Sequence, residues 1–219
     1  MNPPPASDPE PGGPIRPATG RRRAGAVPAL STGGLDDVRP GALLVAMPNL
    51  ADPTFSGTVV FVLDHNAGGT LGVVLGRPSQ VEIRDVLPGW SELAVEPGVF
   101  HVGGPCETDT ALCLAVSRTP GEDCGLRRVT GDVHLVDLDA DPDTLAGQLL
   151  GLRVFAGYAG WSAGQLAAEV AEGAWACVPG RPDDVLSDLA GPALWRRVMG
   201  RQIGRLAVLS TASADPSAN

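Results

Sequence analysis

The chain has 219 residues, of which 43% are hydrophobic and only 4% aromatic, so a globular core must be built mainly from alanine, valine and leucine. Its 25 acidic residues outnumber 16 basic ones, all of them arginine, and the resulting net charge of -9 disfavours binding to polyanions. The longest apolar runs have six residues, far fewer than the ~20 of a transmembrane helix, and no signal-peptide pattern is present, so we expect a cytoplasmic protein.

Proline and glycine are concentrated near the N-terminus. Residues 1–40 contain 9 prolines and 6 glycines without any period, which predicts a disordered tail. The tail holds 5 arginines and 4 acids, so residues 41–219 hold 11 arginines and 21 acids, a net charge of -10. The sequence therefore predicts a single acidic globular domain over residues 41–209, followed by a frayed C-terminus over residues 210–219.

The predicted domain begins with runs of strand-forming residues. Ala42 to Met47 are all apolar and precede a proline, as in a strand covered on both faces. Residues 58–63 and 70–75 are rich in β-branched side chains and flank a polar, glycine-rich segment, which predicts a hairpin with a longer loop. Further strands are predicted at residues 99–102, 111–116 and 133–138. None of these runs alternates cleanly, so the sheet is expected to be buried on both faces.

The second half of the chain adds helices. Asp141 is placed to cap a helix that begins at Pro142 and ends at Gly151, and a strand over residues 153–156 follows, giving a β–helix–β sequence. The remaining elements are a strand over residues 175–178, a helix from Pro182 to near Gly191, and a last amphipathic helix that contains Trp195, Val198, Met199 and Leu206.

Ser162 and Gln165 have the spacing of a capping box at the start of a helix that extends to Gly173. If Ser162 is the cap, its replacement by alanine should lower stability by roughly 0.5–2 kcal/mol. The segment from Gly157 to Ser162 is then a turn that leads into the helix, where free backbone N–H groups could hold an anion. The alternative is that the glycines permit close backbone packing while Tyr158 and Trp161 fill the core.

The sequence offers no recognisable metal, cofactor or nucleophile motif. The four cysteines are separated by 6, 10 and 52 residues, which gives no zinc-site spacing, and the acidic neighbours of Cys124 disfavour a reactive thiolate. His65, His101 and His134 lack a His-x-x-x-His partner. No glycine-rich nucleotide motif is present either. We therefore predict no catalytic, cofactor-binding or metal-binding residues.

Several ordered blocks resemble the AlgH/YqgE family of bacterial proteins. The resemblance spans about residues 41–205 and is carried by residues 44–55 (LVAMPNLADPTF), 59–66 (VVFVLDHN), 72–75 (GVVL), Arg77-Pro78, Gly103-Gly104-Pro105, 157–161 (GYAGW), Gly164-Gln165-Leu166, Glu169, Trp175 and Trp195-Arg196. Departures from the family pattern are Asp64 in place of a common glutamate, Gly76-Arg77 in place of Asn-Lys, and Ala167 in place of a frequent glutamate. A function that requires that lysine or that last glutamate would be absent from this chain.

The resemblance implies an α+β fold with a mixed, bifurcated sheet that is partly closed into a small barrel and flanked by helices. It implies little about activity, because the family carries a transcriptional-regulator label but has no agreed catalytic residues. Our leading interpretation is a non-enzymatic cytosolic binding or regulatory module. Its surface would contact an unknown protein or small ligand through Asp52, Asp64, His65, Asn66, Gly103, Gly104, Gly157, Tyr158, Gly160 and Trp161, since polar and glycine-rich segments at strand ends are common ligand sites.

Two alternatives remain open from the sequence. One is a small hydrolase that uses His65 as a base and the helix N-terminus after Gly160 to hold an anion. The other is a DNA-binding regulator, which the net charge of -10 and the lack of a helix-turn-helix signature disfavour. Nucleic acid and membrane are thus unlikely partners on sequence grounds.

Overall fold

A computed structural model describes residues 35–118 and 125–211 of the chain. The predicted tail up to residue 34, residues 119–124, which include Cys124, and residues 212–219 lie outside these ranges. The strands are β1 (Ala42–Ala46), β2 (Val59–Asn66), β3 (Gly69–Leu75), β4 (Pro78–Glu82), β5 (Val99–Val102), β6 (Cys106–Ser117), β7 (Leu126–Thr130), β8 (Val133–Val136), β9 (Leu149–Ser162) and β10 (Trp175–Pro179). The helices are α1 (Ile83–Val86), α2 (Pro142–Ala146), α3 (Gln165–Ala171), α4 (Pro182–Val185), α5 (Gly191–Gly200) and α6 (Arg205–Leu209), with short 3-10 helices at Leu35–Asp37 and Pro88–Leu93.

The strands form one sheet that divides at β9. Its order is β10–β1–β2–β3–β9–β6–β8–β7, and the β4–β5 pair branches from β9. The division arises because β9 has 14 residues: its last four pair antiparallel with β3, whereas Phe155 and Ala156 pair in parallel with β5. The other edge of β9 pairs antiparallel with β6. The mixed, bifurcated sheet implied by the family resemblance is therefore confirmed.

The sheet curls into a half-barrel flanked by a few helices, as expected for this α+β fold. β7, at one end of the sheet, approaches the start of β1, which lies next to the other end. At this contact the side chain of Thr130 occupies the space where a Cβ on Gly41 would stand. A large apolar cluster, including Leu43, Phe61 and Leu114, is packed against Leu194 and other residues of α4, α5 and α6.

Two further apolar clusters show that the sheet is covered on both faces. One lies beneath α3 and contains Leu166, Trp161 and Trp175. It also contains Val38, which is only 6% exposed although it falls within the segment predicted to be a tail. The other cluster packs β6 and β9 against α2 and the second 3-10 helix, around Trp90. Among the helices in the described ranges, none is long and apolar enough to span a membrane.

The prediction of a helix from Pro142 to Gly151 was partly wrong. Asp141 does cap α2, since its Oδ1 accepts from the backbone N–H of Asp143 at 3.0 Å, but the helix ends at Gly147 and not at Gly151. Leu149 and Leu150, which fall within the predicted helix, begin β9 instead. The preceding strand, β8, and β9 are not adjacent, because both pair with β6.

The prediction that Ser162 caps a helix was wrong. β9 continues through Ser162, and α3 begins only at Gln165 after Gly164, whose φ of 77° is readily adopted by glycine. The amide oxygen of Gln165 accepts from the backbone N–H of Ser162 at 3.1 Å, so one half of the expected capping box is present. The other half is missing because no side chain caps α3.

The C-terminal helices are shorter than the sequence indicated. α4 ends at Val185, well before Gly191. The single amphipathic helix predicted beyond it is divided into α5 and α6, with a break at Gly204, which has a φ of 69°.

Candidate functional site

A cleft of about 360 Å³ lies where the β2–β3 hairpin meets the end of β9. The hairpin is tighter than predicted, because pairing continues to Asn66 and Gly69 and leaves only two residues in the turn. Asp64, His65 and Asn66 therefore belong to β2 and not to a loop. The cleft, which we call the hairpin cleft, is lined by Asp64, Asn66, Gly68, Gly69, Thr70, Leu71 and Trp161.

Asp64 and Asn66 stand side by side in the hairpin cleft. The pairing of β2 with β3 shifts between Val62 and Asp64, and the strand alternation after this bulge places Asp64 and Asn66 on one face. Asn66 Nδ2 donates to Asp64 Oδ2 at 2.9 Å, and Asn66 Oδ1 accepts from the backbone N–H of Gly68 at 2.7 Å. Both side chains are exposed. Because an ionised carboxylate can accept about four hydrogen bonds, Asp64 keeps acceptor capacity for a ligand.

His65 is turned to the other face of the hairpin. Its Nδ1 lies 2.7 Å from the hydroxyl oxygen of Thr70, a residue that is only 6% exposed. Ser162 donates its hydroxyl proton to Gln165 at 3.2 Å. Within residues 35–118 and 125–211, His65 makes no hydrogen bond to a carboxylate or to Ser162.

Trp161 borders the hairpin cleft, but it pairs with Thr70, the partner of His65, so its indole lies on the face opposite Asp64 and Asn66. Its indole N–H donates to Glu169 Oε2 at 2.9 Å, and the indole N–H of Trp175 donates to the same oxygen at 2.8 Å. Gln165 Nε2 donates to the other carboxylate oxygen at 3.0 Å. The ring of Phe55 packs on both indoles, with centroid distances of 5.9 and 5.6 Å. Glu169 thus fixes both tryptophans against α3, a role that its place in the sequence motif did not reveal.

The buried glycines on the predicted surface have a packing role. A Cβ on Gly103 would lie 2.2 Å from the carbonyl oxygen of Gly157, and one on Gly104 would lie 2.2 Å from that of Tyr158. The segment after β5 can therefore approach β9 only without side chains. Gly157 itself, with a φ of 69°, is buried within β9. Of the two interpretations of this segment, the anion-binding turn was wrong because Gly157–Ser162 form a strand, and the close backbone packing of the glycines is the one observed.

Tyr158, Gly160 and Asp52 occupy different surroundings. Gly160 is exposed and pairs with Leu71 of the hairpin cleft, and a Cβ there would lie 3.5 Å from the ring of Tyr158. A hydrogen bond with Glu107 raises the pKa of the Tyr158 phenol. Asp52 is exposed in the connector between β1 and β2, where its Oδ1 accepts from the backbone N–H of Thr54 at 2.7 Å. Asp52 does not line the cleft.

A buried arginine, which the sequence analysis missed, joins three parts of the fold. Arg153 of β9 is 2% exposed, and its Nη1 donates to Nε2 of His101, which is also 2% exposed, at 2.7 Å. Its other donors reach the backbone carbonyls of Val185 at 3.1 Å, Glu96 at 3.2 Å and Leu186 at 3.3 Å. The interaction connects β9 to β5, to the end of α4 and to the loop before β5.

The geometry of this pair fixes the state of His101. A guanidinium has no acceptor, so Nε2 of His101 must be unprotonated and Nδ1, which lies 3.2 Å from the carbonyl oxygen of Val99, carries the proton. Burial and the positive charge of Arg153 lower the pKa of His101 to about 4. Burial lowers the pKa of Arg153 to about 10, still high enough to keep it charged at neutral pH.

Two arginines of the C-terminal region are held by a buried carboxylate. The side chain of Asp184 is fully buried, and Arg201 donates to both of its oxygens at 2.7 Å. Arg197 donates to one of them at 3.3 Å. These positive charges are therefore engaged within the protein. In the part of the chain that the structure describes, no three His, Cys, Asp or Glu side chains are grouped closely enough to hold a metal ion.

Comparison with known proteins gives a consistent picture. The family model described as AlgH-like matches residues 43–207. The chain is 51% identical over 183 residues to a UPF0301 protein of Streptomyces avermitilis, covering 82% of this chain and 94% of that protein. It is 46% identical over 185 residues to a UPF0301 protein of Mycobacterium ulcerans, covering 83% and 92%.

Two solved structures are similar in fold. The crystal structure of protein DIP2367 from Corynebacterium diphtheriae has a TM-score of 0.74 and 33% identity, covering 80% of this chain and 93% of that one. The solution structure of the AlgH protein from Pseudomonas aeruginosa has a TM-score of 0.58 and 28% identity, covering 80% and 94%. None of these names states an activity.

Proposed function

The chain belongs to the AlgH-like family, and on that premise we propose that it is a non-catalytic binding module that recognises a basic segment of a partner protein at the hairpin cleft. The observation that carries this proposal is the exposed pair of Asp64 and Asn66, which hydrogen-bond to each other at the hairpin cleft. The two side chains present a carboxylate and an amide on one rigid strand face.

The chemistry of the cleft favours a ligand that donates hydrogen bonds. Asp64 offers carboxylate acceptors, which form their strongest hydrogen bonds with the guanidinium of arginine or the ammonium of lysine. The net charge of -10 over residues 41–219 would speed the approach of a basic partner. A cleft of about 360 Å³ is at the small end of ligand sites and suits one or two side chains.

The two other sequence-based functions have less support. The hydrolase interpretation needs a helix N-terminus after Gly160 to hold an anion, but Gly160 lies within β9 and α3 begins only at Gln165. The DNA-binding interpretation needs a basic surface, but the domain is acidic, and Arg197 and Arg201 of its C-terminal region are paired with Asp184. A regulatory role exerted through a protein partner in the cytoplasm is compatible with the proposal, and cell fractionation would test that location.

Binding of fluorescent peptides provides the test. Short peptides of graded lysine and arginine content are titrated with the full chain at low ionic strength, and affinity is measured by fluorescence polarisation. We expect Asp64→Asn to weaken the affinity for the best basic peptide by about tenfold or more, because one charge-assisted hydrogen bond is lost.

The matched control is Asp85→Asn, which removes an exposed carboxylate of α1 outside the hairpin cleft. It should bind like the natural chain, and both variants should have unchanged unfolding midpoints. An equal loss in the two variants would mean that the peptides respond only to net charge. Either that result or the absence of binding by every basic peptide would refute the proposal.

A further inference from the structure

A second, larger cleft of about 460 Å³ lies at the end of α3 away from the hairpin cleft. It is bounded by the end of α3, the connector after β1 and α6, and we call it the α3–α6 cleft. Its apolar surface includes Met47, Val170 and Leu209, and two charged residues, Glu172 and Arg205, also line it. A cleft of this volume, with polar and apolar surface in similar proportion, is within the size range of small-molecule sites.

The two charges of the α3–α6 cleft are unpaired. Arg205 is exposed and, among residues 35–118 and 125–211, makes no ion pair or hydrogen bond through its guanidinium. The same holds for the carboxylate of Glu172. Arg197 and Arg201 of the preceding helix, by contrast, are both paired with Asp184. Opposite charges therefore line one cleft without neutralising each other.

We propose that the α3–α6 cleft binds an α-amino acid with an apolar side chain in its zwitterionic form. Its carboxylate would pair with Arg205, its ammonium group with Glu172, and its side chain would pack against the apolar wall that includes Met47 and Val170. A simple anion would leave Glu172 unpaired and repelled, and a simple cation would do the same to Arg205. A zwitterion alone complements both charges as well as the apolar surface.

The test is isothermal titration of the full chain with L-leucine and two derivatives. Leucinamide lacks the carboxylate, and N-acetyl-leucine lacks the ammonium group. We expect leucine to bind and each derivative to bind about tenfold or more weakly, because each loses one charge-assisted pair. Arg205→Gln should weaken leucine binding by a similar factor. It should also abolish the discrimination between leucine and leucinamide, since the partner of the carboxylate is then gone.

The control is Arg196→Gln, which removes an exposed positive charge of α5 that does not line the cleft. It should leave leucine binding unchanged. Glu172→Gln should abolish the discrimination between leucine and N-acetyl-leucine, which provides a second, independent readout. The proposal is overturned if leucine does not bind, or if Arg205→Gln changes its affinity no more than Arg196→Gln.

A variant that ends at Thr211 distinguishes a rival occupant. Leu209 lines the cleft and is followed, after Ser210 and Thr211, by residues 212–219, so this C-terminal segment is the rival occupant to be tested. If the shortened chain binds leucine while the full chain does not, the natural occupant is the C-terminal segment and the proposal is wrong. Equal leucine affinity in both chains supports an amino-acid site. The hairpin cleft plays no part in these outcomes, so they are independent of peptide binding.

Discussion

Acidification from about pH 7 to about pH 4 is expected to destabilise the protein through His101. In the folded state this side chain is buried and neutral and accepts a hydrogen bond from Arg153, which lowers its pKa from 6.5 to about 4. In the unfolded chain the ring takes up a proton near pH 6.5. Between these two values the unfolded state binds more protons than the folded state, so stability falls as the pH falls.

The size of the effect follows from the difference between the two pKa values. The shift from 6.5 to about 4 spans about 2.5 units, and each unit corresponds to about 1.4 kcal/mol. The contribution of His101 is therefore fully present above about pH 6.5, reduced by about 2 kcal/mol at pH 5 and by about 3 kcal/mol at pH 4. A loss of this size is a large fraction of the stability of a typical domain.

The assay compares the natural chain with His101→Gln. The glutamine side-chain oxygen can still accept from Arg153 but does not titrate, so the variant removes the pH dependence while it keeps the hydrogen bond. Free energies of unfolding are measured by urea titration with tryptophan fluorescence at several pH values between about 7 and 4.5. Protonation of carboxylates affects both proteins equally, and the difference between their curves isolates His101.

We expect the variant to be less stable near neutral pH by a modest amount and the two curves to converge or cross as the pH falls. Parallel curves throughout this range would refute the argument. They would show that His101 has the same pKa in the folded and unfolded states, and therefore that its burial beside Arg153 does not govern its protonation.

Three further substitutions test other contacts by urea denaturation. Asp184→Asn should lower the free energy of unfolding by about 3 kcal/mol, because Arg201 donates to both oxygens of this buried carboxylate and would lose its charged partner. Asp183→Asn, at the exposed neighbouring position, should leave the free energy of unfolding nearly unchanged. Glu169→Leu should cost about 2 kcal/mol or more, because two indole N–H groups lose their acceptor, and a change below about 0.5 kcal/mol would contradict that role. Ser162→Ala should change stability by no more than about 0.5 kcal/mol, since α3 is not capped by Ser162; a loss above about 1 kcal/mol would restore the capping role.

The strands that the sequence predicted well are those buried on both faces. Ala42–Ala46 and Val59–Leu63 are continuous apolar runs, and five consecutive apolar residues are expected in a strand whose two faces are both buried. β4 and β7 were missed because they are polar. Pro78 and Gln80 in β4, and Arg127 in β7, are exposed, so neither strand has an apolar pattern. Their pairing partners are set by the curl of the sheet, which the local sequence does not encode.

The candidate site was predicted only in part, for a related reason. Asp64, Asn66 and Trp161 do line one cleft, although Trp161 lies about a hundred residues from the hairpin in sequence. Gly157 misled the prediction because glycine is common both in turns and where two backbones approach closely, and only the fold distinguishes the two. Arg153 was missed because a single charged residue in a strand normally faces solvent. Its burial depends on carbonyl groups that come from distant parts of the chain.

The position of β9 in the sheet has a consequence for biosynthesis. β3, β5 and β6 all precede it in the chain, and each pairs along one edge with β9. As the polypeptide leaves the ribosome, these three edges lack their β9 partner until that strand has emerged, and unpaired edges are where nascent chains associate wrongly. Release of this one segment then completes both branches together, so we expect truncations before residue 162 to aggregate and not to yield a stable subdomain.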